Sequence, residues 1–373
     1  MTNGLMMAFK RSGTSTAAKA APQASKANKP KGRPKSKARM GADGLPEPVV
    51  AYMNHAPVHP VFIYAKGLFR PLQNGTRAQG VHAASHYTSG VNKIECQWRG
   101  DQALDITDQL VFFYLCQQAA IVKKAIRIDA KHHQRETVAA ALKIDRFLVS
   151  QDCLVAVKVT GADIAKGIGL SSTGTNSKAM LASLERLANT TMQRDVNGAQ
   201  GQSLSAKSTL IGCIERPGYV SVVLNPEASK AAMERTHVAW VNMTEQHSLK
   251  SKPAMRLNAW LSAWASKSTI KTITIDKIMV NIWGNEPATA SSKKDRTRTL
   301  KRAVAEVAAL PGWVCQFDAN ADMLKVRKPI FAGEADAKNA VTPTPAAATP
   351  TPAAATPTNT AVTPTRCAAT ATA

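Results

Sequence analysis

The sequence predicts an α+β fold in which one short order of elements occurs twice. Residues 154–224 and residues 269–327 each contain a strand, a short helix, a turn, a longer helix and a hairpin, in that order. In both segments the apolar residues of the longer helix recur at helical spacing, and turn residues separate the two strands of the hairpin. Since this is the order of a winged helix-turn-helix, two winged-helix domains are expected.

A long apolar helix is predicted ahead of the first unit. Asp105 can cap its N-terminus with Asp108 at the third position, and Leu110–Cys116 is apolar on every side. A helix of that kind is expected at the centre of a core. Before it, residues 62–64 and residues 91–98 are predicted to form strands.

The first unit begins with a predicted strand over residues 154–159. Thr160 caps a short helix over residues 161–168, and a Gly/Ser/Thr turn then leads into a longer helix over residues 175–191. One face of the longer helix carries four apolar residues, which are Leu181, Leu184, Leu187 and Ala188. Two apolar strands over residues 209–214 and 219–224 complete the unit as its wing.

The second unit repeats this order after a core-facing helix over residues 255–265. A β-branched strand over residues 269–275 leads to a short helix over 276–282, and a Gly/Pro turn follows. The longer helix, over residues 292–310, has an apolar stripe of Leu300, Val304 and Val307. The wing strands are predicted over residues 313–317 and 323–327.

The charge of the chain indicates a polyanionic partner and divides the chain into four parts. The 373 residues include 48 Lys and Arg against 25 Asp and Glu, which gives a net charge of +23. Ten of these cations and no acid lie in residues 1–42, so residues 1–45 are predicted to be a disordered basic arm. Residues 331–373 are neutral and repeat TPTPAAA, which predicts a disordered Thr/Pro/Ala tail. The remaining +13 belongs to residues 43–330, in which two winged-helix domains are predicted, residues 46–228 and residues 229–330.

Several other classes of protein are disfavoured by the sequence. No apolar run approaches the roughly 20 residues of a membrane-spanning helix. The six cysteines include no C-x-x-C pair, which argues against a zinc site and against a disulfide scaffold. The spacing of Gly169 and Gly174 is that of a phosphate-binding loop, but Thr175-Asn176 stands where Lys-Ser/Thr is needed. We therefore expect no metal, no cofactor and no catalytic residue, and a chain that is not an enzyme.

Cations crowd the start of the second longer helix. Ten residues there hold six cations and one acid, Asp295; the six are Lys293, Lys294, Arg296, Arg298, Lys301 and Arg302. A helix fits the major groove of DNA, and outward Arg and Lys side chains reach guanine edges or phosphates. On a helical wheel Lys294, Arg298, Lys301 and Arg302 lie opposite the apolar stripe. The alternative is a solvated basic face on an ordinary surface helix.

Further candidates for DNA contact are spread along the chain. In the first longer helix they are Thr175, Asn176, Ser177, Lys178 and Arg186. An asparagine can pair with adenine, but Asn176 could instead only cap the helix. At the end of the second wing, Lys325 and Arg327 would suit phosphate contacts, unless they are merely a soluble strand end. In the basic arm, residues 31–35 are similar to the AT-hook core, in which Arg33 would enter a narrow minor groove; a non-specific phosphate-binding tail is the alternative.

Residues 66–329 resemble the RepC replication initiators of broad-host-range IncQ-type plasmids. The matching pieces occur in the family's order and are Gly67–Arg70, Leu184–Leu187, Val222–Pro226, Lys293–Arg298 and Gly312–Val314. The resemblance implies two winged-helix domains that bind direct repeats (iterons) of double-stranded DNA at a plasmid origin. It further implies that the protein helps to open the origin and recruits plasmid helicase and primase, in the cytoplasm of a bacterium.

Other functions remain open from the sequence. A winged-helix transcriptional repressor that binds a promoter operator would use similar DNA contacts. The first domain could also serve dimerisation, giving a homodimer in which only the second domain reads sequence. A relaxase or nickase would need metal-dependent DNA cleavage, which we expect to be absent. Two units in one chain favour the initiator, because one chain can span a long asymmetric repeat, whereas a repressor usually reads a palindrome as a dimer.

Overall fold

The computed structural model describes residues 53–72, 77, 80–89, 92–121, 125–128, 133–144, 154–197, 203–233, 238–266, 269–318 and 322–329. These residues form a mixed α+β fold with small antiparallel sheets, as the sequence predicts. The basic arm, with Arg33, and the Thr/Pro/Ala tail lie outside the described residues.

Ten helices lie within the described residues. They are α1 (Pro60–Tyr64), α2 (Ile106–Ala120), α3 (Arg135–Leu142), α4 (Gly161–Gly167), α5 (Gly174–Asn189), α6 (Pro226–Ala232), α7 (Met243–Ser248), α8 (Lys252–Trp264), α9 (Ile275–Trp283) and α10 (Ala290–Ala308). The predicted cap of α2 is confirmed, because the Asp105 carboxylate accepts from the backbone N–H groups of Thr107 and Asp108. The predicted central position of this helix is also confirmed, since Leu110–Cys116 is buried throughout.

Thirteen strands in the described residues build four antiparallel sheets. They are β1 (His55–Val58), β2 (Val81–Ser89), β3 (Asn92–Gly100), β4 (Ala125–Ile128), β5 (Leu154–Val159), β6 (Thr191–Asn197), β7 (Ser203–Thr209), β8 (Ile211–Arg216), β9 (Tyr219–Leu224), β10 (Ala239–Asn242), β11 (Lys271–Thr274), β12 (Val314–Asp318) and β13 (Met323–Arg327). The strand orders are β1-β10, β2-β3-β6-β7, β4-β5-β9-β8 and β11-β13-β12.

One arrangement of elements is built twice. In the first unit β5 leads to α4 and α5, and β5 then pairs with β9 in the order β5-β9-β8. In the second unit β11 leads to α9 and α10, and the order β11-β13-β12 is the same. Helices α2 and α8 precede the two units and pack against α5 and α10 respectively. The first unit has three additions, which are α3, strand β4 beside β5, and the hairpin β6–β7 between α5 and β8.

The structure corrects three local expectations. Residues 62–64 belong to helix α1 instead of a strand, because His59 caps this helix and Pro60 occupies its first turn. The hairpin that directly follows α5 is β6–β7, which joins β2–β3, so that β8–β9 comes one hairpin later than expected. Leu181 does not share the buried face of α5: it is 43% exposed, and Met180 takes its place beside Leu184 and Leu187.

One hydrophobic core extends through both units. It includes Phe62 and Phe112, whose ring centroids are 5.0 Å apart, and Leu300 and Leu324 of the second unit. Strand β1 pairs with β10, so residues 55–58 lie against residues 239–242 on the far side of the expected boundary after residue 228. The two units are thus held to each other by shared packing and by strand pairing.

Polar contacts reinforce this junction. The guanidinium of Arg256 on α8 is fully buried and donates to the carbonyl oxygen of Ile63 at 2.8 Å and to Oε1 of Gln109 at 3.2 Å. Burial lowers the pKa of Arg256 to about 10. Lys252 Nζ lies 3.0 Å from the Asp105 carboxylate that caps α2. Both contacts join α8, which precedes the second unit, to α2, which precedes the first.

Candidate nucleic-acid interface

Helix α10 is held by its apolar stripe and presents its cations to solvent. Thr289 caps it, because its hydroxyl oxygen accepts from the backbone N–H of Ser292 at 3.1 Å, so the helix begins two residues before the predicted start. The predicted stripe is confirmed, with Leu300, Val304 and Val307 buried against the core. One shallow, open surface of the helix is lined by Lys293, Lys294, Thr297, Arg298, Lys301 and Arg302.

The cations of this surface differ in their partners. Lys293 Nζ lies 3.0 Å from the Asp276 carboxylate, and Arg298 lies 3.1 Å from Asp295; both pairs are solvent-exposed. The Lys301 ammonium stands 5.0 Å from the centroid of the Phe317 ring on β12. Within the described part of the chain, Lys294 and Arg302 form no ion pair. Exposed ion pairs of this kind are weak. Asp276 and Asp295 balance at most two of the five cations, so the surface keeps a net positive charge.

Arg296 occupies a different side of α10 from the other predicted contacts. Its guanidinium donates to the backbone carbonyl of Asn285 at 2.8 Å and to the Asn285 side chain at 3.2 Å, and it lies 5.5 Å from the Trp283 ring centroid. Burial lowers the pKa of Arg296, because none of these partners is a carboxylate. Arg296 therefore packs against the turn that precedes the helix.

Lys325 and Arg327 lie on the outer face of the second-unit sheet. They alternate along β13 with Leu324 and Val326, which are fully buried beneath the sheet. Lys325 also lies 3.5 Å from Asp318 on β12. The structure therefore does not bring these two cations onto the cationic surface of α10.

The first longer helix, α5, carries a different set of groups at its start. Thr173 caps this helix, and the Asn176 side chain donates to the backbone carbonyl of Ser171 at 2.8 Å, so the capping role considered for Asn176 is taken by Thr173. Thr175 and Lys178 are exposed. Ser177 is partly buried, and its carbonyl oxygen lies against Gly161 of α4.

Arg186 makes an ion pair inside the first unit. Its guanidinium donates to Oδ1 of Asp108 from Nε at 3.1 Å and from Nη2 at 2.7 Å. The side chain of Arg186 is 15% exposed, and that of Asp108 is fully buried. This geometry gives Arg186 a role in joining α5 to α2, which the sequence could not reveal because the partners are 78 residues apart.

The described part of the chain offers neither a cluster of metal ligands nor a cysteine with a lowered pKa. No group of three or more His, Cys, Asp and Glu side chains among them could hold a metal ion. Burial raises the pKa of the Cys213 and Cys315 thiols to about 12, which keeps both protonated. In the described part of the chain, no helix has both the length and the apolarity to cross a bilayer.

A cationic helix on a basic α+β body is the arrangement typical of proteins that bind nucleic acid. The family model for Replication protein C (RepC) matches residues 50–329. The chain therefore belongs to the RepC family of replication proteins, which confirms the resemblance seen in its sequence.

Two crystal structures of domains 2 and 3 of RctB are similar to the chain. One has a TM-score of 0.44 at 10% identity and covers 73% of this chain and 99% of the RctB chain. The other, of RctB residues 155–483, has a TM-score of 0.42 at 9% identity and covers 72% and 95%. No curated protein sequence matches the chain.

Proposed function

We propose that this chain is a non-catalytic replication initiator that binds double-stranded DNA by sequence at a plasmid origin. The observation that carries the proposal is the exposed face of α10, on which Lys294, Arg298, Lys301 and Arg302 stand together on a helix fixed by a buried stripe. Membership of the RepC family supports replication as the process. The two repeated units act as winged-helix modules, and α10 enters the major groove.

The physical basis of binding is electrostatic attraction together with contacts to base edges. Each phosphate that a Lys or Arg neutralises releases counterions, so the affinity falls steeply with salt. Arginines on the exposed face can also bond to guanine O6 and N7 in the groove, which provides the choice of sequence. Arg298 and Arg302 are the arginines on this face, and Lys293, Lys294 and Lys301 supply phosphate contacts.

The first unit makes a smaller contribution to DNA binding in this proposal. Its longer helix exposes one cation, Lys178, together with the acid Glu185 and the apolar Leu181. Thr175 and Lys178 at the start of α5 reach phosphates, while Arg186 holds the fold. The same chain binds several iterons of the origin, helps to open it, and brings plasmid helicase and primase to it in the bacterial cytoplasm.

Footprinting of the purified full chain on the DNA that flanks its own gene tests the proposed function. Protection of several tandem repeats, each about two helical turns long, is expected for an initiator whose two modules sit on one face of the duplex. Protection of one palindrome at a promoter would instead favour a transcriptional repressor and would contradict the proposal.

Charge reversal separates the two modules. Arg298→Glu with Lys301→Glu should abolish footprints at concentrations that saturate the wild type, because two attractive contacts become repulsive. Lys178→Glu should weaken binding by a smaller factor without loss of the footprint. The control is Lys207→Glu, which changes an exposed cation on β7 of the sheet β2-β3-β6-β7. Equal effects of all three changes would show that charge alone, and not the face of α10, governs binding.

A further inference from the structure

A second cationic surface lies in a cleft between the two units, beside the start of α10. One wall is formed by Arg70–Leu72, which precede the first unit, and by Lys252 at the start of α8. The other wall is formed by Asn285, Ser291, Ser292 and Arg296. The cleft therefore adjoins the cationic surface of α10 but includes side chains from a part of the chain more than 200 residues away.

A close backbone contact fixes this arrangement. Gly284 ends α9 with φ +84°, and a Cβ added to it would lie 2.5 Å from the Cα of Gly67. Gly67 is itself at φ +82°. Glycine is required at position 284 because a Cβ there would collide with the backbone of Gly67, whereas Gly67 is favoured by its positive φ alone. The segment that carries Arg70 is thus docked on the turn between α9 and α10.

Cations outnumber acids along the walls of the cleft. Arg70, Lys252 and Arg296 contribute three cations, whereas Asp295 is the one acid among the described residues that line it. Asp295 is paired with Arg298, and Lys252 is shared with Asp105. Arg296 has the neutral partners Asn285 and Trp283, so its partly buried charge is left without a carboxylate.

Other arginines of the same region are neutralised internally. Arg77 lies 2.9 Å from Asp105 and 2.9 Å from Asp108, and Arg186 lies 2.7 Å from Asp108. Carboxylates of the protein itself therefore hold Arg77 and Arg186 in place. Arg296 differs from these two arginines, because its protein partners are neutral and its guanidinium stays accessible from solvent, where a phosphate oxygen can reach it.

We propose that this cleft binds backbone phosphate of the same duplex that α10 reads, so that Arg70 and Arg296 clamp a DNA strand at the junction of the two units. The inference rests on the proposed function and extends it to residues outside both modules. The exposed Ser291 and partly exposed Ser292 offer hydroxyl donors at the same place. Such contacts fix the position of the protein on DNA without reading sequence.

The first test measures binding of the full chain to two duplexes of equal length, one with the footprinted sequence and one unrelated, over a range of salt. Arg70→Ala should weaken binding to both duplexes by about fivefold at 0.15 M salt, which is the counterion contribution of one phosphate. The slope of log K against log salt should fall by about 0.9 in magnitude, with the ratio of the two affinities unchanged. Lys207→Ala should leave affinity and slope as in the wild type.

A second variant distinguishes a loss of DNA binding from a loss of folding. Ser291→Asp adds a carboxylate to the cleft and to the first turn of α10, where a negative charge stabilises a helix. Its melting temperature should not fall, whereas its affinity for both duplexes should drop at least fivefold; Ser291→Asn should bind as the wild type. If Arg70→Ala and Ser291→Asp both bind normally while Arg298→Glu with Lys301→Glu does not, the cleft is not a DNA contact and the proposed function stands. Normal binding by all three variants would overturn both.

Discussion

At the scale of single residues, Asp108 connects more of the first unit than any pattern in the sequence indicates. One carboxylate oxygen accepts from Ser183 at 2.6 Å and from Arg186, while the other accepts from Arg77 and from the backbone N–H of Asp105. The side chain is fully buried, so every lone pair is satisfied by protein donors. The carboxylate thus joins α2, α5 and Arg77 in one network of hydrogen bonds.

Asp108→Asn is expected to destabilise the protein by about 3 kcal/mol, because it leaves the charge of Arg186 largely buried without its partner. Chemical denaturation followed by circular dichroism measures this change in the free energy of unfolding. Asp276→Asn provides the control, since its carboxylate pairs with Lys293 at the surface; the expected change is within about 0.5 kcal/mol. A similar small change for Asp108→Asn would refute the structural role given to this network.

Ionisation of Asp105 makes the stability of the junction depend on pH. Burial opposes ionisation of its carboxyl group, but the hydrogen bond from Lys252 and the charge of Arg77 outweigh burial and hold the pKa of Asp105 below its ordinary 3.8. A carboxyl group whose pKa is lower in the folded state stabilises that state above the unfolded pKa. This contribution is lost as the pH falls through the folded value.

Asp105→Asn should therefore be less stable than the wild type at pH 7, and the difference should shrink as the pH falls below 3.8. Asparagine is as good an N-cap as aspartate, so the start of α2 is kept and only the charge is removed. Thermal unfolding at a series of pH values provides the measurement. A difference that stays constant down to the lowest pH would mean that the ion pairs with Lys252 and Arg77 contribute nothing.

At the scale of elements, two glycines with the same backbone φ allow the cost of a positive φ to be separated from the cost of a steric collision. Gly284 and Gly218 both have φ +84°, but a Cβ on Gly218 would meet no atom within 4 Å, whereas one on Gly284 would collide with Gly67. Gly218→Ala should cost about 1 kcal/mol from positive φ alone. Gly284→Ala should cost at least about 1 kcal/mol more, because the docked segment must also move.

The same pair of variants bears on DNA binding. Gly284→Ala should lower the affinity for duplex DNA as Arg70→Ala does, since it displaces the segment that carries Arg70 from the start of α10, whereas Arg70→Ala removes the cation itself. Gly218→Ala lies in the turn of β8–β9 and should leave affinity unchanged. The free energy of unfolding and the binding curve of each variant are measured on the same preparation. Equal unfolding costs for the two glycines would show that the contact with Gly67 is easily relieved.

The elements that the sequence predicts well are those with a local signal. Thr160 caps α4, and the stripe of Leu300, Val304 and Val307 places α10, because caps and periodic burial depend on neighbours three or four residues away. The sequence does not predict the hairpin β6–β7, because its strands carry many polar residues and Gly and Gln lie between them. The burial of Leu184 but not of Leu181 depends on which side of α5 meets α2, which no local pattern determines.

The candidate site likewise has a part that the sequence predicts and a part that it does not. The cationic face of α10 could be predicted because its residues are consecutive turns of one helix. The sequence predicts Arg296 and Arg186 as DNA contacts because both are cations on a helix, but their partners Asn285 and Asp108 turn them toward the protein. For Arg70 the sequence offers only its membership of the Gly67–Arg70 motif. Its place beside α10 depends on the contact between Gly67 and Gly284, which are far apart in sequence.

At the scale of the whole molecule, the shared core makes the two units one body around Arg256. This side chain is fully buried and ties α8 to the end of α1 and to α2. If the two modules bind DNA at a fixed spacing, this junction sets that spacing. Insertion or deletion of base pairs between the footprints of the two modules should therefore weaken binding. Insertion of a full helical turn, about 10 base pairs, should not restore it, because modules of one rigid body cannot also move about 34 Å apart.

The basic arm poses the last question at this scale, because ten of the 48 cations lie in residues 1–42. Cations on a chain without fixed partners act through counterion release, which raises affinity for every sequence alike. Deletion of residues 1–45 should therefore weaken binding to specific and unrelated duplexes by the same factor. It should also lower the salt slope by about 0.9 for each phosphate the arm contacts. Titrations of the full and shortened chains on both duplexes at several salt concentrations measure these two quantities. If Arg33 instead reads a narrow A·T minor groove, the shortened chain loses affinity mainly for A·T-rich duplexes, and the ratio between duplexes changes.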